Sequence, residues 1–548
     1  MTPLPAWARA LTDRRFLYAL AWLIALGIGT GRVINALQSW ENKSRIDDNG
    51  GHVTIDFGGQ WMMGRLLATG NGKELFVRPR QWEVAQRSYP VRFEDPNQEE
   101  HDPRNLVGSF MGKDDERWLN PAGAWTALIA PSGPFQQAAV ALQVHDEWDP
   151  ALVKELNHPT KGDGIGGPLY PPIHAFVMLP FATDDHPQAA YTVMHYVQTF
   201  WCFVGGFAIS IVSRGRLWAP IAASILLIYP GCRGAVDLGQ NSPMTVAILC
   251  CGWAAMSRDR MILGGMIWGL LAYKPVWALS FGLMLLLMQH WRAAFAMAAT
   301  GAGLALATLP YVGLHTWIHW LETGKSAADL YNVDGNWVPL SRDLLGLPRR
   351  IMLDFTAPRS TRDRPLITLA CWAVWAFVLE VTLRTYAMRG RGPMPFVGPL
   401  PAMLALTAWA CTFHFMYYDA MISAFGLLIL MADPRPFFRR QVWTTPEPDE
   451  GPRSHLVTNS FVLTVVAMLL FYEVLLQPGT WEGTISPQEY TKARTFHDGS
   501  TAPSPQFNFG AGYRYPTDTF VILLLWFWCV AAVCRESGQM TPRSELSA

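Results

Sequence analysis

Nearly charge-free apolar runs, such as 456–476 and 517–534, constrain this chain more than any other feature. A helix of about 20 apolar residues crosses a bilayer core of about 30 Å, and in hydrocarbon it satisfies every backbone N–H and C=O internally. A soluble chain of this length would scatter its apolar residues through short amphipathic elements instead. Half of the 548 residues are hydrophobic and 16% are charged, as expected when apolar helices alternate with charged loops. Lys plus Arg and Asp plus Glu both number 43, so net charge points neither to nucleic acid nor to an anionic partner surface. The 8 Cys sit mostly in or beside apolar segments, without CxxC or zinc-ligand spacing, and read as small core residues. Neither a metal nor a cofactor is expected.

Basic residues orient the runs. A first span at 16–37 follows Arg9, Arg14 and Arg15, which belong on the cytoplasmic side by the positive-inside tendency. The region from 38 to 167 carries 19 Asp and Glu against 13 Lys and Arg, which suits the outer side. The next apolar run, 169–182, has 14 residues and reaches only about 21 Å as a helix. It is expected to lie along the outer interface, after Pro171 and Pro172 set its start. Spans then follow at 188–213, 217–230 and 243–256. The stretch 261–290 is broken by Lys274-Pro275 into two short spans, and the series continues with 293–311, 365–387, 397–412, 416–432, 456–476 and 517–534. This makes twelve spans with both ends inside. It puts Arg214, Arg258, Arg292, Arg389 and Arg439 in the cytoplasm, whereas counting 169–182 as a span would reverse them all.

The expected fold is an all-α polytopic membrane protein forming one domain over 1–548, with large extracytoplasmic loops. These are 38–187, including the interfacial helix at 169–182, then 312–364 and 477–516. The loops are long and rich in Pro, Gly, Trp and Asn, as site-forming loops are. The same topology places the polar candidates on one side of the membrane.

Asp56 precedes a helix-like stretch containing Trp61, Met62, Arg65 and Leu66. It can cap that helix, or serve as a fixed carboxylate accepting a proton from a hydroxyl nucleophile. Tyr170 and the proline pair read as an interfacial anchor, and His174 stands one turn further on. Arg233 precedes Gly239-Gln240-Asn241-Ser242, where Gly239 permits close approach and Gln240 and Asn241 offer hydrogen bonds or a cap. Lys274 is the only charge between Met261 and Trp277, and can snorkel to headgroups or hold a phosphate. Asn336 lies in the turn Tyr331-Asn332-Val333-Asp334-Gly335-Asn336-Trp337. His414 heads a cluster with Tyr417, Tyr418 and Asp419 at a helix junction.

In their order these motifs resemble the polyprenyl-phosphate-sugar-dependent membrane glycosyltransferases of the GT-C class, particularly glycosyltransferase family 87, described as mannosyltransferase-like. The residues that carry the resemblance are Asp56-Phe57, the run Arg65 to Gly70, Tyr170-Pro171-Pro172, Gly239-Gln240-Asn241, Leu271-Ala272-Tyr273-Lys274-Pro275 and Gly335-Asn336. The resemblance implies transfer of a hexose, often mannose, from a polyprenyl-phosphate donor on the extracytoplasmic face, with Asp56 as general base. Arg65, Tyr170, His174, Arg233, Gln240, Asn241, Lys274, Asn336 and His414 would contact substrate. The partners expected are the lipid-linked donor, a lipid or glycan acceptor and membrane lipids, with no nucleic acid and no obligate protein partner. The membrane would be the inner membrane of a bacterium, with the site facing the periplasm or exterior. Family members commonly carry Tyr near the position of Gln60 and a small polar residue near that of Trp337. A transporter or lipid-translocating protein would use similar interrupted helices without covalent chemistry.

Overall fold

The computed structural model describes residues 13–41, 56–77, 80, 84, 169–183, 187–333, 337–354, 359–362, 364–389, 394–433, 453–472 and 516–539. Among them the chain is helical, and its one β feature is an isolated antiparallel bridge between Ser341 and Met416. The helices that organise the fold are α1 (Arg14–Glu41), α2 (Asp56–Ala68), α3 (Ile173–Met178), α4 (Pro187–Val212), α5 (Ala219–Ile228), α6 (Cys232–Asp237), α7 (Ser242–Met256) and α8 (Met261–Gly269). They continue with α9 (Pro275–Leu287), α10 (Trp291–Tyr331), α11 (Gly346–Met352), α12 (Pro365–Met388), α13 (Pro399–Ala410), α14 (Ala424–Met431), α15 (Arg453–Leu470) and α16 (Thr517–Gln539). Proline stands in the first turn of α5, α7, α9, α12 and α13, where its fixed φ suits a helix start and its missing N–H costs nothing.

Each of the twelve expected spans falls on an apolar helix. Five are long and apolar enough to cross a membrane, at Arg14–Leu37, Ala189–Val212, Trp291–Lys325, Pro365–Met388 and Thr517–Arg535. The other segments hold shorter apolar helices, Ala219–Ile228 and Pro275–Leu287 among them. Large apolar side chains stay exposed on the outer faces, including Leu23 on α1, Phe295 and Leu306 on α10, and Leu369 and Phe377 on α12. Such a surface is stable against lipid rather than water.

The break foreseen at 274–275 is present. α8 tightens into a 3₁₀ turn at Leu270–Tyr273, Lys274 leaves the helical region with φ −137° and ψ 79°, and α9 starts at Pro275. The short run at 169–182 is a six-residue helix, α3, followed by the 3₁₀ turn Leu179–Phe181, and it is absent from the membrane-length helices. Two stretches are more regular than expected: the polar turn after 231 contains α6, and α10 runs past 312 as far as Tyr331. A kink marks the boundary expected near 311, where Pro310 removes a donor and Gly313 takes φ 73° and ψ 161°.

Two cores position the site. The larger joins α4, α5, α7, α8, α9, α13, α14 and α16, with Trp253, Trp268, Trp409 and Phe425 among its buried rings. The smaller seats α2 and α3 on the start of α4 through Phe57, Trp61, Met62, Leu66, Met178, Tyr191 and Met194. There α2 and α3 nearly touch: a Cβ at Gly64 would lie 2.8 Å from the Met178 backbone.

Candidate functional site

The site grows from the first turn of α2. Asp56 opens that helix, and the next residue, Phe57, is fully buried with its ring 5.2 Å from Tyr191. Phe57 also closes on Gly239, where φ is +65° and a Cβ would come within 3.0 Å of the Phe57 side chain. Gly239 thus serves both the left-handed turn and the approach, and it brings the residue after Asp56 against the 239–242 turn.

One turn along α2, Gln60 is a hydrogen-bond hub at 1% exposure. Its Nε2 donates to the Gly239 carbonyl at 3.3 Å, which leaves Oε1 as the acceptor. That oxygen accepts from Asn241 Nδ2 and, at 3.1 Å, from His174 Nε2–H. Asn241 Oδ1 in turn accepts from Gln198 Nε2 at 3.3 Å, which ties the turn to α4. On α4, His195 Nδ1 donates to the Val236 carbonyl at 2.8 Å. This chain of hydrogen bonds holds α2, α3, α4 and α7 in one register, while His174 Nδ1, His195 Nε2 and Gln198 Oε1 are buried without a hydrogen-bond partner.

Pro171 and Pro172 lead directly into α3, and the His174 amide donates to the Pro171 carbonyl at 2.8 Å. Tyr170 and His174 stack at 4.1 Å, and the Tyr170 hydroxyl donates to Gln240 Oε1 at 2.7 Å. His174 also meets the Tyr273 ring at 5.7 Å. Burial is the main cause that pushes its pKa down, from 6.5 to about 3, and the Lys274 ammonium adds to it. His174 is therefore neutral at pH 7, with its proton on Nε2, and Nδ1 is a buried acceptor without a partner.

Lys274 Nζ donates to both carboxylate oxygens of Asp419, at 2.8 and 2.7 Å. Ser242 Oγ donates to Oδ1 of the same carboxylate at 2.7 Å, and Nζ lies 5.6 Å from the Tyr418 ring centre. The two side chains are 12% and 2% exposed, so this is a nearly dry ion pair made good by an added hydroxyl donor and a ring face.

Tyr170, His174, Gln240, Asn241 and Lys274 thus share one connected cluster, with Asp56 at the helix start beside it. Three expected contacts lie elsewhere, and one falls outside the described residues. Arg65 donates to the carbonyls of Ala182 at 3.3 Å and Thr183 at 2.9 Å, clamping the end of α2 to the chain leaving α3. Arg233 is largely exposed and pairs with Asp237 one turn on at 3.6 Å. His414 adopts φ +47° in the junction before Phe415, where burial lowers its pKa while Asp343 raises it and Arg349 lowers it. Asn336 is the residue outside.

Gln60 and Asp419 carry more of the cluster than their sequence context suggested, and Gln198 and His195 had not been singled out. All but Gln60 leave a sequence signal nonetheless. Asp419 is the only charge from 394 to 432, as Lys274 is from 261 to 277, and opposite lone charges in apolar runs tend to meet. His195 and Gln198 stand three apart inside an apolar helix, which marks an inward face.

Searches of curated proteins and of solved structures each return no match. The family comparison does match: residues 169–406 fit the model of Glycosyltransferase family 87. That segment contains Tyr170, His174, Gln240, Asn241 and Lys274, and the resemblance seen in the sequence motifs holds across it, supporting a glycosyltransferase function in a GT-C-like helical membrane protein.

Proposed function

We propose that the protein is an inverting hexosyltransferase that moves a sugar, mannose in the first instance, from a polyprenyl-phosphate donor to a hydroxyl of a lipid or glycan acceptor on the extracytoplasmic face. Asp56 is the general base. It takes the acceptor hydroxyl proton as that oxygen attacks the anomeric carbon, and the bond from that carbon to the phosphate oxygen breaks to release the polyprenyl phosphate. Lys274 donates to the departing phosphate with its charge shared by Asp419, and Tyr170, His174, Gln240 and Asn241 shape the sugar side of the pocket.

The convergence of the first turn of α2 on the turn 239–242 supports this reading most directly. It seats Phe57 and Gln60, on the helix that Asp56 opens, against the 239–242 turn within the family match. The test is incubation of purified protein with a radiolabelled polyprenyl-phosphate hexose and a membrane lipid extract. Wild-type protein is expected to form a labelled acceptor product, whereas Asp56→Asn forms none and stays folded. Release of free sugar without an acceptor product would point to a different reaction.

A further inference from the structure

The length of α10 beyond its kink carries a group of side chains with chemistry of its own. His315, His319 and Glu322 follow one another at i, i+4 and i+7, which lines them up along one strip of the helix. The two imidazole rings touch, with centres 4.0 Å apart and planes at 66°. His315 is exposed and His319 half-buried, and among the described residues no hydrogen bond engages either ring.

The other side of the same turns is fastened. Thr316 Oγ1 donates to the Lys73 carbonyl at 2.8 Å, Trp317 Nε1 to Thr308 Oγ1 at 3.1 Å, and Trp320 Nε1 to the Leu169 carbonyl at 3.0 Å. These bonds hold the helix against the turn after α2 and the chain entering α3. The two histidines therefore stand on a fixed backbone, on the side of the molecule where Tyr170 lies.

Neutral imidazoles at i and i+4 make a bidentate chelate. A tetrahedral Zn²⁺ with bonds of about 2.0–2.1 Å sets its two nitrogen ligands about 3.3 Å apart, which rings already in contact reach by side-chain rotation alone. Imidazole suits Zn²⁺ and Cu²⁺, whereas Mg²⁺ and Ca²⁺ call for oxygen donors. The Glu322 carboxylate acts on the His319 ring, so the local field favours a cation. Among the described residues no three His, Cys, Asp or Glu side chains form a metal-holding group, so the chelate supplies two protein ligands and leaves the other positions to water.

We propose that His315 and His319 bind a divalent ion of the zinc class as a two-imidazole chelate, stapling the first turns of α10 beyond the kink.

Its test uses full-length protein without a polyhistidine tag, stripped with EDTA and placed in phosphatidylcholine nanodiscs, with Cu²⁺ as paramagnetic probe and Zn²⁺ as competitor. Wild type is expected to take up one more equivalent of Cu²⁺ than the double variant His315→Ala with His319→Ala. The electron paramagnetic resonance spectrum of that equivalent should carry hyperfine structure from two imidazole nitrogens, and Zn²⁺ should displace it. Each single variant should weaken this binding by about tenfold or more, the loss that removing even an outer partner of a metal ligand brings. Since no hydrogen bond engages either ring, the metal-free Tm of the variants should match wild type. Equal uptake and affinity in wild type and double variant overturns the inference. Displacement by Mg²⁺ as readily as by Zn²⁺ also overturns it, marking an adventitious ion only. Should the double variant fail to fold, the single variants decide, and affinities within twofold of wild type overturn the inference.

Discussion

At the scale of single residues, the Lys274–Asp419 pair shows how a charge survives beside hydrocarbon: it is bound twice by a carboxylate that Ser242 also serves. Breaking such a pair strands one charge in a dry site, so Asp419→Asn or Lys274→Met should each cost about 3–5 kcal/mol. The double variant Lys274→Met with Asp419→Leu should recover most of that loss in chemical denaturation yet remain inactive, because Lys274 also serves the departing phosphate. Recovery of transfer in the double variant would reduce Lys274 to a structural role. His174 yields a prediction with a definite sign. Its pKa in the folded protein, about 3, lies below its ordinary 6.5, so between these values the unfolded chain binds the extra proton. Stability attributable to this residue should be complete above pH 6.5 and fall as pH drops towards 3, by at most about 1.4 kcal/mol per pH unit. The measurement is unfolding free energy against pH, and His174→Gln should flatten the acid limb relative to wild type. The lone charge at 274 was legible in the sequence because nothing else in its run is polar enough to compete. Its partner is a lone charge in its own run too, but 145 residues separate the two and only packing shows that they meet.

At the scale of elements, register depends on close approach. A methyl group at Gly64 would meet the Met178 backbone at 2.8 Å, and backbone cannot swing aside as a side chain can. Gly64→Ala should therefore force α2 and α3 apart, cost about 1–3 kcal/mol, and lower transfer more than it lowers the amount of folded protein. Thermal unfolding and turnover per folded molecule check both parts; an unchanged Tm would show that α3 adjusts freely. Helix identity was largely readable, since Pro at the starts of α9, α12 and α13 and the break at Lys274-Pro275 are local chemistry. The extent of α10 was not: Pro310 and Gly313 read as an end, yet helical structure resumes beyond the kink because Thr316 and Trp317 are fixed by Lys73 and Thr308. The hub role of Gln60 was likewise hidden, because it depends on the 239–242 turn lying opposite.

At the scale of the whole molecule, the account requires the polar cluster to face outward. A single Cys introduced at Asp259, in the turn between α7 and α8, should react with a membrane-impermeant maleimide only after permeabilisation, and one at Thr183 should react in intact cells. The reverse pattern would invert the topology. The expected orientation rests on charge asymmetry in the sequence, whereas the pairing of the junction before α14 with the segment leading into α11 emerged only from the fold. The central claim is that a carboxylate at the start of α2 performs base catalysis on a lipid-linked sugar. Its most direct test is transfer of radiolabelled mannose from a polyprenyl-phosphate donor to membrane acceptors, comparing wild type with Asp56→Asn at matched folding. The account predicts labelled acceptor with wild type and a loss of at least a hundredfold, on the order of a missing general base, with the variant. Undiminished transfer by Asp56→Asn would contradict it.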